Sequence, residues 1–508
     1  MAQDDDMSFG VDEVSEESPV AEFLKEGKAL ASQKKNSEAS LLFYKVLEAT
    51  DPASEALHPE AQYELAKALL RMKLYQGSLS YFGRVVDAGE THPYYAQALN
   101  GLLMLTDVIP EDPTLMSRLE VYAPESAKLV PTKYKQRYAF LVGRSLFNQG
   151  NFAQAQDLLK RVRPNSKNFV KARYIMGVNS VGQYDAKSAL QSFKEVLRVL
   201  VTRKDEGKLK PEEVELLNQT YLGMARVFYS TGAYDKSLKY FDKVPRKSSL
   251  WGKSLFESSW AHFQRDEYNK ALGNLHSLSS PFFAKSYFPE APILSAVLFF
   301  YNCKYPRVKY VLEEFEYSYM PLKGEIDEVL SKNEEGSQMY QWLTKLRAGD
   351  SDEDEKLARI LAASLDDKQV LRRLALVESI DAEENKIKGM TSQWRTSGLG
   401  SALKQETLIA RELAINDAGE LVKARLGRVK AELDDLTLKR ERILFEVSRA
   451  EQGELEANFR NEMVVAKDVT TGKDIKVNDE QLYWTFDGEY WKDELGYYIF
   501  NINTECKR

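Results

Sequence analysis

A pattern of small and large side chains recurs seven times between residues 27 and 315. Each copy has a small residue, a large residue four positions later and another large residue seven positions later. The small residues are Ala39, Ser78, Ala155, Ala189, Ser237, Ala271 and, in an enlarged form, Val308. Twelve positions before each of them stands a second small residue: Gly27, Ala66, Gly143, Gly177, Ala225, Ser259 and Ala296. Because spacings of three and four place residues on one face of an α-helix, the pattern predicts pairs of helices that meet at small residues.

Close packing explains why such pairs need these residue sizes. Small side chains let two helix backbones approach, and the large residues fill the groove of the neighbouring pair. A single pair cannot bury its apolar face alone, so the pairs must stack. The step from Ala155 to Ala189 equals the step from Ser237 to Ala271, and we call this step the repeat period. The pattern resembles the tetratricopeptide repeat (TPR), and the resemblance implies a mainly α fold with an α-solenoid of antiparallel helix pairs over residues 21–320.

Two intervals between copies are longer than one repeat period. The interval from Ser78 to Ala155 exceeds two periods and leaves room for a degenerate helix pair near Pro93–Tyr134. The interval from Ala189 to Ser237 is also too long and predicts an insertion near Thr202–Pro211. In the copy centred on Ala189 the aromatic Tyr184 lies five positions before the small residue, where other copies have an aromatic three before, so a longer loop is expected there.

The acidic residues are concentrated at the start of the chain. Residues 1–20 contain seven Asp and Glu residues and no Lys or Arg, and thus account for the whole formal net charge of −7 at pH 7. Because the rest of the chain is balanced, it lacks the long-range positive field of a general nucleic-acid-binding protein, and no nucleic-acid partner is expected. Residues 1–20 are predicted to form a disordered acidic tail.

Neither a membrane span nor a secretory signal is evident in the sequence. The longest apolar run, Ile293–Tyr301, has the length of an ordinary core helix, so an integral membrane protein is not expected. The first residues lack the basic and apolar regions of a signal peptide. A short acidic start fits either a mature exported protein, in which Met1 replaces a removed signal, or a cytoplasmic protein with an acidic tail.

The chain offers little chemistry for catalysis. It has two cysteines, Cys303 and Cys506, which is too few for a disulfide-dense scaffold or a cysteine-based zinc site. Cys303 follows an apolar stretch and is expected to be a buried, inert thiol. The P-loop, G-x-G-x-x-G, G-x-S-x-G and H-E-x-x-H motifs do not occur. We therefore expect a non-enzymatic protein without a metal or other cofactor.

Residues 321–462 are predicted to form a helical extension. Two helical stretches flank the turn sequence Thr396–Gly400. From Val422 onward the second stretch carries a coiled-coil seam, in which Arg440 is the one plainly polar member. These features favour an antiparallel coiled-coil hairpin with its tip near residues 396–400, and an intermolecular coiled coil is the alternative.

The end of the chain, residues 463–508, differs in composition. Asp487 and Gly488 lie between two aromatic runs, which is typical of a β-hairpin because a type I′ turn requires positive φ. A small, aromatic-rich β-hairpin module is therefore predicted. Its aromatic residues form either the core of the module or an exposed face that binds protein or glycan. The residues of that candidate face are Tyr483, Trp484, Tyr490 and Trp491.

A second, weaker resemblance comes from the order of these parts. A repeat array, a long helical segment and the ending Leu482–Trp491 together look like the envelope-associated TPR proteins of gliding and predatory bacteria. Those proteins are linked with adventurous gliding motility. The resemblance implies a periplasmic location within cell-envelope machinery, with a cytoplasmic location as the alternative. No lipobox cysteine is present, so the lipid anchor of some relatives is not implied.

The repeat array suggests how the protein would act. Stacked helix pairs form a concave surface, mainly from their first helices, and this groove can hold an extended peptide or a partner helix. Arg and Asn side chains suit the carboxylates and amides of such a partner. The candidate groove residues are Arg144, Asn148, Arg173, Asn179, Arg226, Tyr229 and His262. The predicted function is a protein–protein interaction scaffold in a multiprotein complex; the alternative is a peptidoglycan-binding, glycan-binding or lytic accessory protein that acts through the C-terminal aromatic residues.

Overall fold

The computed structural model describes residues 19–110, 112–121, 130, 132–350, 355–459, 482 and 484–506. Most of the predicted acidic tail and the first part of the predicted β module therefore lie outside the described residues. The described chain forms two compact units, Met1–Tyr138 with Arg372–Ala414 and Ala139–Leu371 with Ile415–Arg508. No helix within the described ranges is long and apolar enough to cross a membrane.

Helices account for nearly all of the regular structure. The helices before residue 139 are α1 (Pro19–Ser32), α2 (Asn36–Glu48), α3 (Pro52–Glu55), α4 (His58–Met72), α5 (Tyr75–Asp87), α6 (Tyr95–Leu105), α7 (Pro113–Val121) and the start of α8 (Thr132–Asn148). The next are α9 (Phe152–Lys160), α10 (Phe169–Gly182), α11 (Ala186–Asp205), α12 (Pro211–Ser230), α13 (Tyr234–Phe241), α14 (Trp251–Phe263), α15 (Tyr268–Leu278), a 3₁₀ turn (Pro281–Phe283), α16 (Glu290–Tyr301) and α17 (Tyr305–Lys332). The last are α18 (Gly336–Ala348), α19 (Glu355–Ser364), α20 (Lys368–Lys388), α21 (Ser392–Arg395) and α22 (Gly398–Phe459).

The repeat pattern is confirmed by the helix pairs. Each of the seven copies corresponds to a pair of antiparallel helices, as in α10 with α11 and α12 with α13. The degenerate pair predicted near Pro93–Tyr134 is present as α6 and α7. Within each unit the second helix of a pair packs against the first helix of the next pair. The fold is therefore a TPR-like succession of helix pairs.

Small residues allow the close approach of helices within and between pairs. A Cβ added at Gly177 of α10 would lie 2.5 Å from the ring of Phe193 in α11. The same ring lies against Gly223 of α12, where an added Cβ would be 2.9 Å away. The large residue four positions after the small one therefore contacts its own pair as well as the next. Where the small residue is Ser237, its hydroxyl also donates to the carbonyl oxygen of Ala225 at 2.8 Å.

The turn between the two helices of a pair has one conformation throughout. In all seven copies the residue five positions before the small one has positive φ: Lys34, Lys73, Gly150, Tyr184, Gly232, Asp266 and Cys303. The expectation of a longer loop at Tyr184 is therefore wrong. Tyr184 occupies this left-handed position in a turn that is as short as the one around Gly232.

The predicted insertion near Thr202–Pro211 takes the form of longer helices. Both α11 and α12 have 20 residues, whereas the next two helices, α13 and α14, have 8 and 13 residues. Pro211 begins α12, where its missing N–H group costs no helical hydrogen bond. The additional residues therefore extend the pair by further helical turns and leave only a short connection.

The helical extension does include an antiparallel hairpin. In the first unit, the Nε of Arg411 in α22 donates to Asp381 of α20 at 2.5 Å. In the second unit, the Nε of Arg425 donates to the carbonyl oxygen of Ser364 at 2.8 Å. The connection spans residues 389–397 and contains α21, whereas residues 398–400 of the predicted tip already belong to α22. The first arm is divided into α19, α20 and α21, while α22 is an unbroken helix of 62 residues.

The coiled-coil seam of α22 packs within the chain, but mainly against α17. Thr437 contacts the sulfur of Met320 at 3.7 Å, and Lys309 pairs with Glu451 at 2.8 Å. Arg440, the predicted polar member of the seam, forms an ion pair with Glu316. The buried seam residues are Val422, Leu426, Val429, Leu433, Leu436 and Val447. The predicted division between residues 320 and 321 falls inside α17, which continues through its internal proline.

The predicted C-terminal β module is not supported by the part of the module that the structure describes. Residues 484–506, here called the strap, contain no strand among the described positions. Gly488 has positive φ, but Asp487 does not, so the type I′ hairpin turn is absent. Backbone groups of the strap instead find partners on the helix pairs: the N–H of Phe500 donates to the carbonyl oxygen of Asn269 at 2.9 Å.

The two cysteines form a disulfide in the second unit. Cys303 lies in the turn between α16 and α17, and it is joined to Cys506 of the strap with a Cα–Cα distance of 5.0 Å. The expectation that Cys303 is an inert thiol is therefore wrong. The bond links positions 203 residues apart in sequence and attaches the end of the strap to the repeat array.

Candidate protein-binding surface

The first helices of successive pairs contact each other in the second unit. α10 packs beside α12, and α14 packs beside α16. We call the surface formed by α10, α12, α14 and α16 the first-helix surface. It corresponds to the groove that was predicted to bind a partner.

An ion pair and aromatic rings surround a cavity on this surface. The guanidinium of Arg226 in α12 donates twice to the carboxylate of Glu257 in α14, at 2.7 Å from Nε and 2.6 Å from Nη2. Tyr229, Trp260 and Phe241 complete the lining of a cavity of about 360 Å³. The structure therefore brings two of the predicted groove residues, Arg226 and Tyr229, into one site. It offers an apolar recess beside a charged pair.

Sequence reasoning did not single out Glu257 and Trp260. A signal for Trp260 was available, because it stands one repeat period after Arg226 and, like it, directly follows the small residue of a first helix. Helices repeated at a fixed period place equivalent residues side by side. Glu257 lies three positions before Trp260, which puts both side chains on one face of α14.

A neighbouring part of the surface is contacted by α22. The hydroxyl of Tyr287 donates to the carboxylate of Glu432 in α22 at 3.3 Å. Desolvation of the ammonium group and the positive charge of Arg226 lower the pKa of Lys253, while Glu257 and Glu432 oppose this shift. The C-terminal helix α22 therefore hydrogen-bonds to Tyr287 in the segment before α16, and its Glu432 lies close enough to Lys253 of α14 to influence the charge of that side chain.

Glu290 at the start of α16 shows the same influence of α22. Burial raises the pKa of Glu290, and Lys439 of α22 opposes the shift. The carboxylates of Glu432 and Asp435 add to the increase. Acidic groups from both elements thus face each other here, which makes this part of the surface unfavourable for an acidic ligand.

Arg173 and Asn179 of α10 serve the fold. Arg173 pairs with Glu195 of α11 at 2.8 Å, and its guanidinium lies 4.8 Å from the ring centroid of Phe169. Asn179 is only 1% exposed, and its amide donates to the carbonyl oxygen of Phe152 at 3.0 Å. The expectation that Asn179 lines an open groove is therefore corrected, because its amide satisfies a buried carbonyl between adjacent pairs.

The three remaining groove candidates lie apart from the cavity lining. Arg144 of α8 is half-buried with its guanidinium 5.4 Å from the ring centroid of Phe140, and Asn148 is exposed at the end of that helix. His262 contacts the carboxylate of Glu267 through Nδ1 at 2.7 Å. Burial lowers the pKa of His262, and the hydrogen bond to Glu267 opposes the shift. This histidine fixes the turn between α14 and α15.

The predicted aromatic face is only partly exposed. Trp484 and Trp491 are 59% and 41% exposed and meet edge to face with ring centroids 4.8 Å apart. Tyr490 instead stacks on His276 of α15 at 4.8 Å, and burial raises the pKa of Tyr490 to about 12. Tyr483 lies outside the described residues. The strap therefore presents two tryptophans outward and uses Tyr490 for attachment.

The described ranges contain no group of three or more His, Cys, Asp or Glu residues that could hold a metal ion.

Comparisons with known proteins give distant structural likenesses. No protein-family model and no curated protein matches the sequence. The apo form of RapI is 12% identical over 68% of this chain and 97% of that chain, with a TM-score of 0.35. The TPR domain of P58(IPK) is 12% identical over 78% of this chain and 97% of that chain, with a TM-score of 0.19. Yeast Tom70 is 12% identical over 87% of this chain and 97% of that chain, with a TM-score of 0.20.

The spacing and pairing of the helices in this chain define its TPR-like fold. The predicted link with gliding motility finds no support among these structures and stays a prediction.

Proposed function

We propose that the protein is a non-enzymatic interaction scaffold that binds a peptide segment or helix of another protein on its first-helix surface. The observation that carries this proposal is the cavity of about 360 Å³ lined by the Arg226–Glu257 pair, Tyr229 and Trp260. Trp, Tyr and Arg side chains around a recess are the residues that contribute most to protein–protein binding.

The lining indicates what kind of segment would fit. An apolar or aromatic side chain of the partner would enter the recess between the rings of Tyr229 and Trp260. Arg226 uses two of its five N–H donors on Glu257, so a carbonyl or carboxylate oxygen of the partner can accept from another. The partner therefore combines a large apolar side chain with an adjacent oxygen acceptor.

Site-specific photo-cross-linking in intact cells tests this proposal. A photoreactive residue at Tyr229 is expected to capture a defined protein, while the same residue at exposed Lys239 on the second helix α13 is not. The Trp260→Ala substitution should weaken binding of the captured protein by about 2 kcal/mol or more, as at other interface hot spots. Equal capture from both positions, or unchanged affinity of the Trp260→Ala variant, would contradict the proposal.

We also propose that the protein works in an oxidising compartment. A role in a periplasmic envelope or motility complex would require such a location. The disulfide between Cys303 and Cys506 supports this, because such bonds persist in secreted and periplasmic proteins and are rare in the cytosol. This proposal can be tested by quenching cells with acid, denaturing the extract and then labelling its free thiols. Both cysteines should resist labelling until a reductant is added; immediate labelling of both would favour the cytoplasmic alternative.

A second candidate function is binding of cell-wall glycan by the strap. The exposed, adjacent rings of Trp484 and Trp491 favour it, since aromatic faces stack on sugar rings. Co-sedimentation of the full chain with purified peptidoglycan should then be lost in the Trp484→Ala/Trp491→Ala variant. Retention of that variant in the pellet, or failure of the parent chain to sediment, would exclude this role.

A further inference from the structure

The strap follows α15 in an antiparallel direction. The N–H of Gly496 donates to the hydroxyl of Ser277 at 2.8 Å near the end of α15, and the N–H of Phe500 donates to the carbonyl oxygen of Asn269 near its start. Between them the carbonyl of Tyr498 lies over Gly273. An extended segment therefore lies along a stripe of residues spaced four apart: Asn269, Gly273 and Ser277.

Gly273 makes this stripe different from the same position in neighbouring pairs. The equivalent residues, two positions after the small residue of the second helix, are Asp157, Gln191, Lys239 and Tyr310. A Cβ at Gly273 would lie 1.8 Å from the carbonyl oxygen of Tyr498, a clash with backbone that no rotamer change relieves. α15 alone among these helices thus offers a trough in which another backbone can lie.

Side chains on both flanks match the strap. His276 contacts the rings of Phe486, Tyr490 and Tyr498, with centroid distances between 4.5 and 5.2 Å. Arg246 donates to the carbonyl oxygen of Lys492 at 3.2 Å and lies over the ring of Tyr497. The strap residues Leu495 and Ile502 are buried. Together these contacts resemble those of a bound extended peptide, with backbone hydrogen bonds and side-chain anchors.

We propose that the Asn269–Gly273–Ser277 stripe of α15 is a binding site for an extended, aromatic-rich peptide segment, with residues 495–502 of this chain as its tethered ligand.

The disulfide keeps the strap in this site permanently, and reduction of the disulfide by a dithiol allows the strap to exchange with another segment. In the exchange step the dithiol supplies two electrons and two protons, the Sγ–Sγ bond breaks to give two thiols, and the dithiol becomes a disulfide. Cys303 and Cys506 are both half-buried, so a dithiol can reach them. The site is separate from the first-helix surface, so it stands or falls independently of the proposed function.

Hydrogen exchange of the full chain, measured in the oxidised and in the dithiol-reduced state, tests whether the disulfide holds the strap in this site. Reduction should accelerate exchange at the amides of Gly496, Phe500 and Glu505 by about tenfold or more, because a tethered segment then opens without global unfolding. Exchange in α10 and α11 should not change. Equal protection of the three amides in both states would overturn the proposal, since the strap would then be a permanent part of the core.

Disulfide trapping tests the trough itself. A peptide of residues 493–506, with its cysteine activated as a thiopyridyl disulfide, is added to the full-length Cys506→Ser variant, in which Cys303 is free. The thiolate of Cys303 attacks the peptide sulfur and expels thiopyridine. We expect the peptide to react about tenfold faster than a scrambled peptide of the same composition, a preference of about 1.4 kcal/mol.

The Gly273→Ala substitution in the Cys506→Ser background is the matched variant. An added methyl group fills the trough, so the rate advantage of the native sequence over the scrambled one should disappear. Because the readout is a ratio of two peptides on the same protein, it does not depend on how exposed Cys303 becomes. Equal rates for both peptides before this substitution, or an unchanged ratio after it, would overturn the proposal.

Discussion

The C-terminal helices make different kinds of contact in the two units. In the first unit they meet the second helices α2 and α5 through buried polar groups. Trp394 of α21 is fully buried and its indole N–H donates to the hydroxyl of Ser40 at 3.1 Å. The carboxylate of Glu383 in α20 accepts from the N–H groups of Gln76 and Gly77 at the start of α5, at 2.8 and 3.2 Å.

In the second unit α22 relies on an apolar seam with ion pairs at its edges. Leu436 and Val447 are buried among residues of α14–α17, and Lys309 pairs with Glu451 across a solvated edge. Buried polar contacts permit one geometry, because any shift leaves an unsatisfied group away from water. An apolar seam with exposed ion pairs tolerates small shifts. The difference predicts that single substitutions weaken the first unit more than the second.

Removing Trp394 should have the largest effect. The Trp394→Ala substitution leaves a cavity beside α2, and a loss of about 3–5 kcal/mol in the free energy of unfolding is expected. This loss can be measured from the hydrogen exchange of the α2 amides as a function of denaturant concentration. Trp491→Ala, which removes an exposed indole, should change stability by less than about 0.5 kcal/mol. Similar losses in both variants would show that Trp394 is not a specific anchor.

Glu383 should give the first unit a distinct pH dependence. Burial raises the pKa of Glu383 from its usual 4.5 to about 7, although the N–H groups of Gln76 and Gly77 oppose the shift. Between these two pH values the folded chain therefore holds a proton that the unfolded chain has released. The free energy of unfolding then falls as pH rises through this window, by at most about 3 kcal/mol, and levels off above it.

The Glu383→Gln variant tests that slope. The amide keeps an oxygen acceptor for one of the two N–H groups and places its NH2 group at the other, so stability should be lower at every pH. Because the amide does not titrate, stability measured from pH 5 to 7 should become nearly flat. Glu384→Gln is the control, because Glu384 pairs with Lys388 and that contact lowers the pKa of Glu384. A slope that persists in the Glu383→Gln variant would assign the pH dependence to another group.

Residue size along the sequence was sufficient to predict the repeat array. Gly177 and Phe193 stand sixteen positions apart in one pair and meet in the structure, because each repeat position has a fixed location in the packing. Tyr184 gave a misleading signal, since its aromatic ring was compared with the aromatic residues three positions before the small residue, whereas its backbone fills the left-handed turn position five before it. Glycines at the same place in other copies, such as Gly232, carried the correct signal.

The contacts made by the C-terminal part could not be predicted in this way. Repeat spacing reports which residues of consecutive pairs meet, but it gives no distance between Cys303 and Cys506. The Asp487–Gly488 pair between two aromatic runs indicated a hairpin, but this turn signal is local and cannot reveal that the backbone of the strap finds a partner on α15. Trp260, by contrast, could have been predicted from the sequence, since it lies one repeat period after Arg226.

Loss of the hydroxyl of Ser40 should have an intermediate effect. Ser40→Ala leaves the buried indole N–H of Trp394 without its acceptor, and a decrease of about 1–2 kcal/mol in the free energy of unfolding is expected. Ser32→Ala removes an exposed hydroxyl that donates to the carbonyl oxygen of Ala29, and it serves as the control. If Ser40→Ala combined with Trp394→Ala costs the sum of the two single effects, the hydrogen bond does not couple them.

The smallest effect is expected at the edge of the seam in the second unit. Lys309 and Glu451 are 45% and 34% exposed in their side chains, so water screens their attraction. A double-mutant cycle with Lys309→Ala and Glu451→Ala should give a coupling of about 0.2–1 kcal/mol that weakens as salt is added. A coupling of about 2 kcal/mol or more, on the order of a buried pair, would mean that α22 is held on α17 as rigidly as α20 is held on α5. The contrast between a polar, geometrically fixed contact in one unit and a tolerant seam in the other would then fail.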